Sequence, residues 1–287
     1  MNALTALAPR GLTWTVLRLH RSAMLVAAGF FAAGAAGLLL LRADGLDAAR
    51  VSELCGSSDA DLAFCLYDTV VSGYSGNMRL AATMIAWLPF VVALYVGAVL
   101  IGRELERGTA ALSWTQSVTP ARWLAAKLLL PALLITAGTA GLSLLYRRAW
   151  RAGGSAVGDE WYMNDVFLND VFLALGPAGL AYCLLALAAG ALAGVLLRRA
   201  LPAGGLALAV TGLVMRLCDE WRDQLCLGPA DRVRGECRAG GEVREWYPVF
   251  PPSSHFWPIQ LVETGIVLVL TVVLTVAAFG VLRRRHA

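Results

Sequence analysis

The sequence predicts an all-α polytopic membrane protein with six transmembrane helices, and three observations lead to that fold class. Of the 287 residues, 58% are hydrophobic and 15% are charged, whereas soluble domains are about half apolar and about a quarter charged. The mean hydropathy of +0.65 agrees with this imbalance. Six apolar runs recur along the chain, and a helix needs about 20 apolar residues to cross the hydrocarbon core. The net charge of +4 is too small to favour a nucleic-acid partner.

Each apolar run is predicted to form one span of a single transmembrane domain, residues 1–287. We place the spans at 22–41, 80–102, 128–146, 171–197, 202–218 and 257–282. The fifth run has only 14 residues up to Met215, so we expect its helix to continue through Arg216, whose side chain can reach the headgroups. The first run is too long for a signal-peptide core and lacks a small-residue cleavage site, so we do not expect its removal.

The distribution of basic residues predicts that both termini are cytoplasmic. One set of segments holds 12 basic and 2 acidic residues in 55 positions, namely 1–21, 103–127, 198–201 and 283–287. The other set holds 12 basic and 17 acidic residues in 103 positions, namely 42–79, 147–170 and 216–256. Because basic residues concentrate in short cytoplasmic loops, the first set faces the cytoplasm. A single lysine and abundant alanine indicate a high-G+C bacterium, and hence a bacterial cell membrane.

Residues 1–21 are predicted to contain an elbow helix that lies along the inner leaflet. Leu12, Val16 and Leu19 fall on one side of a helix, and Trp14 suits the membrane interface. A plain cytoplasmic extension of the first span is the alternative. At the other terminus, a stop-transfer cluster is sufficient to explain Arg283-Arg284-Arg285.

Four cysteines lie in the two long outside loops, where an oxidising environment permits disulfides. We predict two local bridges, Cys55–Cys65 and Cys226–Cys237. The second bridge would staple the loop of residues 219–256 between the fifth and sixth spans. Cys218 can replace either partner of the second bridge, and free thiols are the alternative to both bridges.

Several enzyme classes are excluded by missing motifs. A phosphate-binding Walker loop needs Gly-Lys followed by Ser or Thr, but Lys127, the only lysine, lies between Ala126 and Leu128. The three histidines are far apart in the sequence, and no Cys-x-x-Cys pair occurs. We therefore predict a chain that is not an enzyme and that holds no metal or cofactor.

Glu263 is the one ionisable residue that falls well inside a predicted span. It lies seven residues into the sixth helix, and intramembrane acids usually face a protein interior or a water-filled cavity. Two hypotheses follow. Glu263 can serve transport directly, or it can pair with Arg216 or the preceding loop and hold its helix in place.

The inner loop of residues 103–127 contains two helix starts. Gly108 breaks the preceding helix and Thr109 can cap a short helix that runs to about Gln116. Thr119 then caps the next helix, with Pro120 in its favoured first position. The pattern predicts a short helix between two spans that is presented to the cytosol, and a simple connector is the alternative.

This loop carries a family resemblance. Glu104-x-Glu106-x-Gly108-Thr109, followed by Ser117-Val118-Thr119-Pro120-Ala121-Arg122-Trp123, resembles the first intracellular loop of ABC-2-type permeases. These are the transmembrane subunits of bacterial ATP-binding-cassette exporters. Two sequence segments, Trp114–Thr119 with Arg122-Trp123 and Phe256–Gly265, resemble those of a subgroup that is common in high-G+C bacteria.

The resemblance implies a permease that is moved by a separate ATPase. Two ATPase subunits, which bind the ATP and Mg, would dock on a coupling helix at Thr109–Gln116, and a second permease subunit, identical or homologous, would pair along the first and fifth spans. The fourth-span glycines, Gly190 and Gly194, would then pack within the chain. The expected coupling residues are Glu104, Glu106, Arg107, Gly108, Thr109, Leu112, Trp114 and Gln116.

The composition of the spans indicates what is transported. They contain few polar side chains, so we expect a hydrophobic or amphipathic substrate such as a drug, a peptide or a lipid, handled by alternating access. The competing function is a non-transporting membrane sensor or immunity protein whose cytoplasmic loop binds another partner.

Overall fold

The computed structural model describes residues 21–55, 60–108, 119–153, 169–226 and 256–285. Every regular element within these ranges is helical. In chain order they are α1 (Arg21–Cys55), α2 (Ala60–Leu94), a π-helical segment (Tyr95–Gly102), α3 (Arg103–Glu106), α4 (Pro120–Gly153), α5 (Asn169–Leu175), α6 (Ala178–Leu197), α7 (Ala200–Cys226) and α8 (Phe256–Arg284).

Among the described residues, six helical stretches are long and apolar enough to cross a membrane. They are Ala23–Val51, Gly73–Glu106, Pro120–Gly153, Ala178–Leu197, Ala200–Arg222 and Phe256–Arg284. The predicted all-helical class and the predicted number of spans are therefore confirmed. Of the predicted elbow, residues 1–21, all but Arg21 lie outside the described residues, and Arg21 is the first residue of α1.

The helices extend well beyond the apolar runs at the ends of the predicted 42–79 loop. The first helix continues to Cys55 and the second begins at Ala60, so most of that predicted loop is helical. Its sequence explains the extension, because 8 of the 14 residues from 42 to 55 are Ala, Leu, Arg or Glu, which favour helix. Hydropathy locates the part of a helix that suits lipid, whereas backbone hydrogen bonding continues until a breaker or a cap ends it.

The predicted fourth span, 171–197, is broken. The short helix α5 ends at Leu175 and α6 begins at Ala178, with Gly176 and Pro177 between them. Proline has no backbone N–H and its ring clashes with the preceding turn, so an interruption at this position is expected on backbone grounds.

The central helix of the bundle is α6, which is buried on all sides for most of its length and packs against α2, the π-helical segment, α4, α7 and α8. Two glycines allow its close approach to the π-helical segment. A Cβ atom on Gly190 would lie 2.8 Å from the backbone nitrogen of Gly97, and one on Gly194 would lie 2.7 Å from Cγ2 of Ile101. The small residues of the fourth span thus pack within the chain, as such residues do between membrane helices.

The alternating helices give the bundle two ends. The Lys127 end comprises residues 103–108, 119–127, 195–200 and 283–285. The Glu263 end comprises residues 169–182, 216–222 and 256–263. Each end contains a cluster of polar contacts that links different spans.

Candidate functional site

At the Lys127 end, a buried ion pair joins α3 to α4. The ammonium group of Lys127 donates to the carboxylate of Glu104, and the two side chains are only 3% and 14% exposed. Burying a charge is costly unless a partner of opposite sign is close. The pair therefore fixes α3 against α4, which are the elements on either side of residues 109–118.

A second contact joins α3 to the fifth span. The Glu106 carboxylate accepts a hydrogen bond of 2.8 Å from the backbone nitrogen of Ala200, the first residue of α7. An acidic side chain is favourable there, because the first N–H groups of a helix lack partners and carry partial positive charge. The two glutamates of α3 are thus attached to two different spans.

The last described arginine caps the central helix at the same end. The Arg285 guanidinium donates to the backbone oxygens of Val195 and Leu196, at 2.9 Å and 3.2 Å. These carbonyls belong to the last turn of α6, where no helical partner remains. Arg285, one of the three arginines of the predicted stop-transfer cluster, thus caps α6, and only the spatial proximity of α6 and α8 reveals this contact.

Half of the predicted coupling residues fall in the described part of the chain. Glu104 and Glu106 make the contacts above, Arg107 is exposed, and Gly108 adopts a φ of 71°, which glycine tolerates. The rest of the predicted set, Thr109, Leu112, Trp114 and Gln116, lies outside the described residues. Beyond that gap, the Thr119 hydroxyl accepts a weak hydrogen bond of 3.4 Å from the Arg122 backbone nitrogen, as an N-cap does.

The predicted disulfides also lie outside what the structure describes. Cys237 lies in the gap after α7. The backbones of Cys55, Cys65 and Cys226 are helical, but their side chains are not among those that the structure describes. Within the described residues, Cys218 is a half-buried free thiol.

At the Glu263 end, the intramembrane acid is paired with Arg222. The guanidinium reaches both carboxylate oxygens at 3.0–3.2 Å, and the two side chains are 3% and 6% exposed. The Tyr182 hydroxyl donates to the same carboxylate at 2.7 Å. One buried pair therefore links α6, α7 and α8.

The sequence predicted that Glu263 pairs with Arg216 or with the preceding loop, residues 219–256. Arg216 is wrong, and the partner, Arg222, lies within the range predicted as that loop, although it is helical in the structure. Arg216 is exposed and pairs instead with Asp219 and Glu220 on its own helix. The helix of the fifth span, α7, is longer than its apolar run, so it carries Arg222 to the depth of Glu263. Both oxygens of Glu263 are engaged, as the helix-holding hypothesis requires.

The Arg222 guanidinium has further neighbours that complete its burial. It donates to Asn169 Oδ1 at 3.4 Å and to Asp219 Oδ1 at 3.5 Å. Its central carbon lies 3.8 Å from the centre of the Phe172 ring, an arrangement that attracts a cation to an aromatic face.

One turn before Glu263, Gln260 bridges the break in the fourth span. Its amide nitrogen donates to the Phe172 carbonyl at 2.6 Å, and its amide oxygen accepts from the Ala178 backbone nitrogen at 3.2 Å. Irregular backbone at membrane depth must find such partners within the protein. The sequence signals for this contact were Pro177, inside the fourth apolar run, and Gln260, near the start of the sixth.

An apolar cavity of about 330 Å³ lies between the first three spans. Its walls include Phe31 from α1, Val92 from α2, Tyr95 and Leu100 from the π-helical segment, and Pro131 from α4. A second apolar groove of about 360 Å³ continues along α1 and α2. In the described part of the chain, no three His, Cys, Asp or Glu residues come together as metal ligands would.

The six apolar spans, with polar contacts that connect them internally, define a multi-pass membrane protein. The chain matches the family described as ABC-2 membrane transporter related over residues 26–222, and it belongs to that family. Members of the family are membrane transport components that are not themselves catalytic, and they typically work with an ATPase partner. No curated protein and no solved structure matches the chain.

Proposed function

We propose that this chain is the permease subunit of an ATP-driven exporter and that a separate ATPase moves it by binding the loop of residues 103–127. The observation that carries the proposal is the anchoring of α3. Glu104 binds Lys127 on the third span and Glu106 binds Ala200 on the fifth. Whatever displaces this loop must therefore displace several spans together.

The buried ion pair makes this connection stiff. Residues 109–118 leave α3 and return into α4, and the Glu104–Lys127 pair ties these two elements together. Separating the pair would leave a charge in a low-dielectric site without a partner, which is strongly unfavourable. An ATPase that binds ATP differently in two global states of the complex can supply the free energy for such a step.

The proposed assembly follows the family pattern. Two ATPase subunits, carrying ATP and Mg, act on a pair of permease subunits, identical or related, that meet along the first and fifth spans. Large apolar side chains of α1, such as Leu25, Val26 and Leu40, are exposed on the isolated subunit. They offer an apolar surface to a second subunit or to lipid.

The proposed substrate is hydrophobic or amphipathic. The cavity and the adjoining groove along α1 are lined almost entirely by apolar side chains, and Asn77 and Tyr95 are their only polar linings among the described residues. A pathway of this character suits an alkyl or aromatic group and offers few hydrogen bonds to a sugar or an ion.

Coupling is tested by expressing the chain with its neighbouring genes and purifying the complex. We expect an ATPase to be retained, and its absence would contradict the proposal. Glu106→Ala should keep the ATPase bound and hydrolysing, yet lower the amount of a fluorescent hydrophobic peptide transported per ATP. Glu220→Ala is the matched control, because Glu220 is an exposed glutamate at the opposite end of the bundle.

A further inference from the structure

The second span contains a π-helical segment, Tyr95–Gly102, within an otherwise α-helical rod. At its end the Arg103 backbone nitrogen donates to the carbonyl of Ala98, five residues earlier, rather than to the carbonyl four residues earlier. A π-helical turn accommodates one residue more than an α-helical turn. It is rare, and it is frequently located at functional sites.

The π-helical segment is confined on one side and faces a cavity on the other. A Cβ atom on Gly97 would lie 2.8 Å from the Ala203 carbonyl oxygen, and Gly190 and Gly194 approach from α6. The other side of the segment, through Tyr95 and Leu100, forms a wall of the apolar cavity. Space for a rearrangement of the segment is therefore present next to it.

The segment leads directly into the anchored turn, α3. If these eight residues became α-helical while α2 stayed in place, α3 would turn by about 100° and advance by about 1.5 Å for each residue absorbed. A rotation of that size removes Glu104 from Lys127 and Glu106 from Ala200. The π-helical form of the segment therefore belongs to the same state as the Glu104–Lys127 ion pair and the Glu106–Ala200 hydrogen bond.

We propose that Tyr95–Gly102 is a register switch, π-helical in the state described and α-helical in the alternative state. Its conversion is the local movement by which displacement of the 103–127 loop turns α3 and releases both glutamates. This inference rests on the proposed function, because it needs an ATPase to displace the loop.

A one-residue deletion distinguishes the switch from a rigid movement of the whole span. Val99 is 39% exposed, so its side chain contributes little packing. In a Val99 deletion the segment can be α-helical while the residues on both sides keep their positions, and no further conversion is possible. Val99→Ala is the control, because it changes the same position and retains the extra residue.

The experiment measures the distance between spin labels at Arg103, the first residue of α3, and Arg284, both exposed at the Lys127 end. The labels are introduced as unnatural amino acids into the complex with the ATPase. Between the nucleotide-free and ATP-trapped states, we expect a change of about 5 Å or more in the unaltered chain and in Val99→Ala, since a helix with its side chains is about 10–12 Å wide. The deletion should keep the nucleotide-free distance in both states.

Two results would overturn the switch. One is an unchanged distance in the unaltered complex, which decides the question even if the deletion does not fold. The other is a deletion that moves as the unaltered chain does, which indicates a rigid movement. Failure of the unaltered chain to bind an ATPase at all is a different outcome, and it contradicts the proposed function.

Discussion

Lys127 shows how much a single residue can contribute in a chain with so little charge. It is the only lysine, and in the structure it is 2% exposed and paired with Glu104. From the sequence, Lys127 served to exclude a Walker loop. Its burial could not be predicted, because that depends on how α3 folds back against α4.

Removing one member of this ion pair should cost more than removing both. Lys127→Met leaves the Glu104 carboxylate buried without a partner, and we expect a loss of about 3–5 kcal/mol of unfolding free energy. Combining Lys127→Met with Glu104→Gln should recover most of that loss, because no unpaired charge remains. Thermal unfolding in detergent measures both variants, and equal destabilisation would contradict the pairing.

The arginine that matters at the Glu263 end is Arg222, and a matched pair of variants can show it. Arg222→Met should destabilise the protein by about 3–5 kcal/mol, because it leaves the Glu263 carboxylate buried and unpaired. Arg216→Met, on the same helix, should cost less than about 1 kcal/mol, because its side chain is 71% exposed and its ion pairs are at the surface. Similar losses for the two variants would show that Glu263 does not depend on Arg222.

At the scale of the elements, hydropathy predicted the number of spans but not the interruptions within them. Apolar runs identify the six spans because each must satisfy its backbone hydrogen bonds internally and present apolar side chains to lipid. The break at Pro177 and the π-helical segment leave the hydropathy pattern unchanged, because they alter only the pattern of backbone hydrogen bonds. The helical ends of α1 and α2 were missed because polar residues can continue a helix outside the membrane.

The break in the fourth span depends on a glycine at Gly176. A Cβ atom there would collide with the amide group of Gln260, which bonds to the backbone on both sides of the break. Gly176→Ala should therefore cost about 1–3 kcal/mol, the usual range for overpacking a tight site.

Gly265→Ala is the control for this effect. It changes a glycine in α8 around which nothing lies within 4 Å of the added Cβ atom, and alanine favours helix over glycine by about 1 kcal/mol. We expect it to be neutral or stabilising in the same unfolding assay. A neutral Gly176→Ala would show that Gln260 does not need this close approach.

At the scale of the whole molecule, the low content of charged residues and the family membership both indicate a membrane transport component. The chain belongs to the ABC-2 membrane transporter related family, and its few buried charges join spans to one another at both ends of the bundle. The sequence identified the loop of residues 103–127 and its two glutamates. The partners of those glutamates, Lys127 and Ala200, required the fold, because 23 and 94 residues separate them along the chain.

The proposed function requires that a separate ATPase acts on the loop between the second and third spans. The most direct test places a photo-crosslinking amino acid at Trp114 in that loop, and at the exposed Trp221 of the Glu263 end as the matched control. In cells that express the neighbouring genes, we predict that position 114 crosslinks to an ATP-binding-cassette ATPase and that position 221 does not. Crosslinking of position 114 only to lipid, or to a protein that binds no ATP, would contradict the claim and favour the sensor or immunity function.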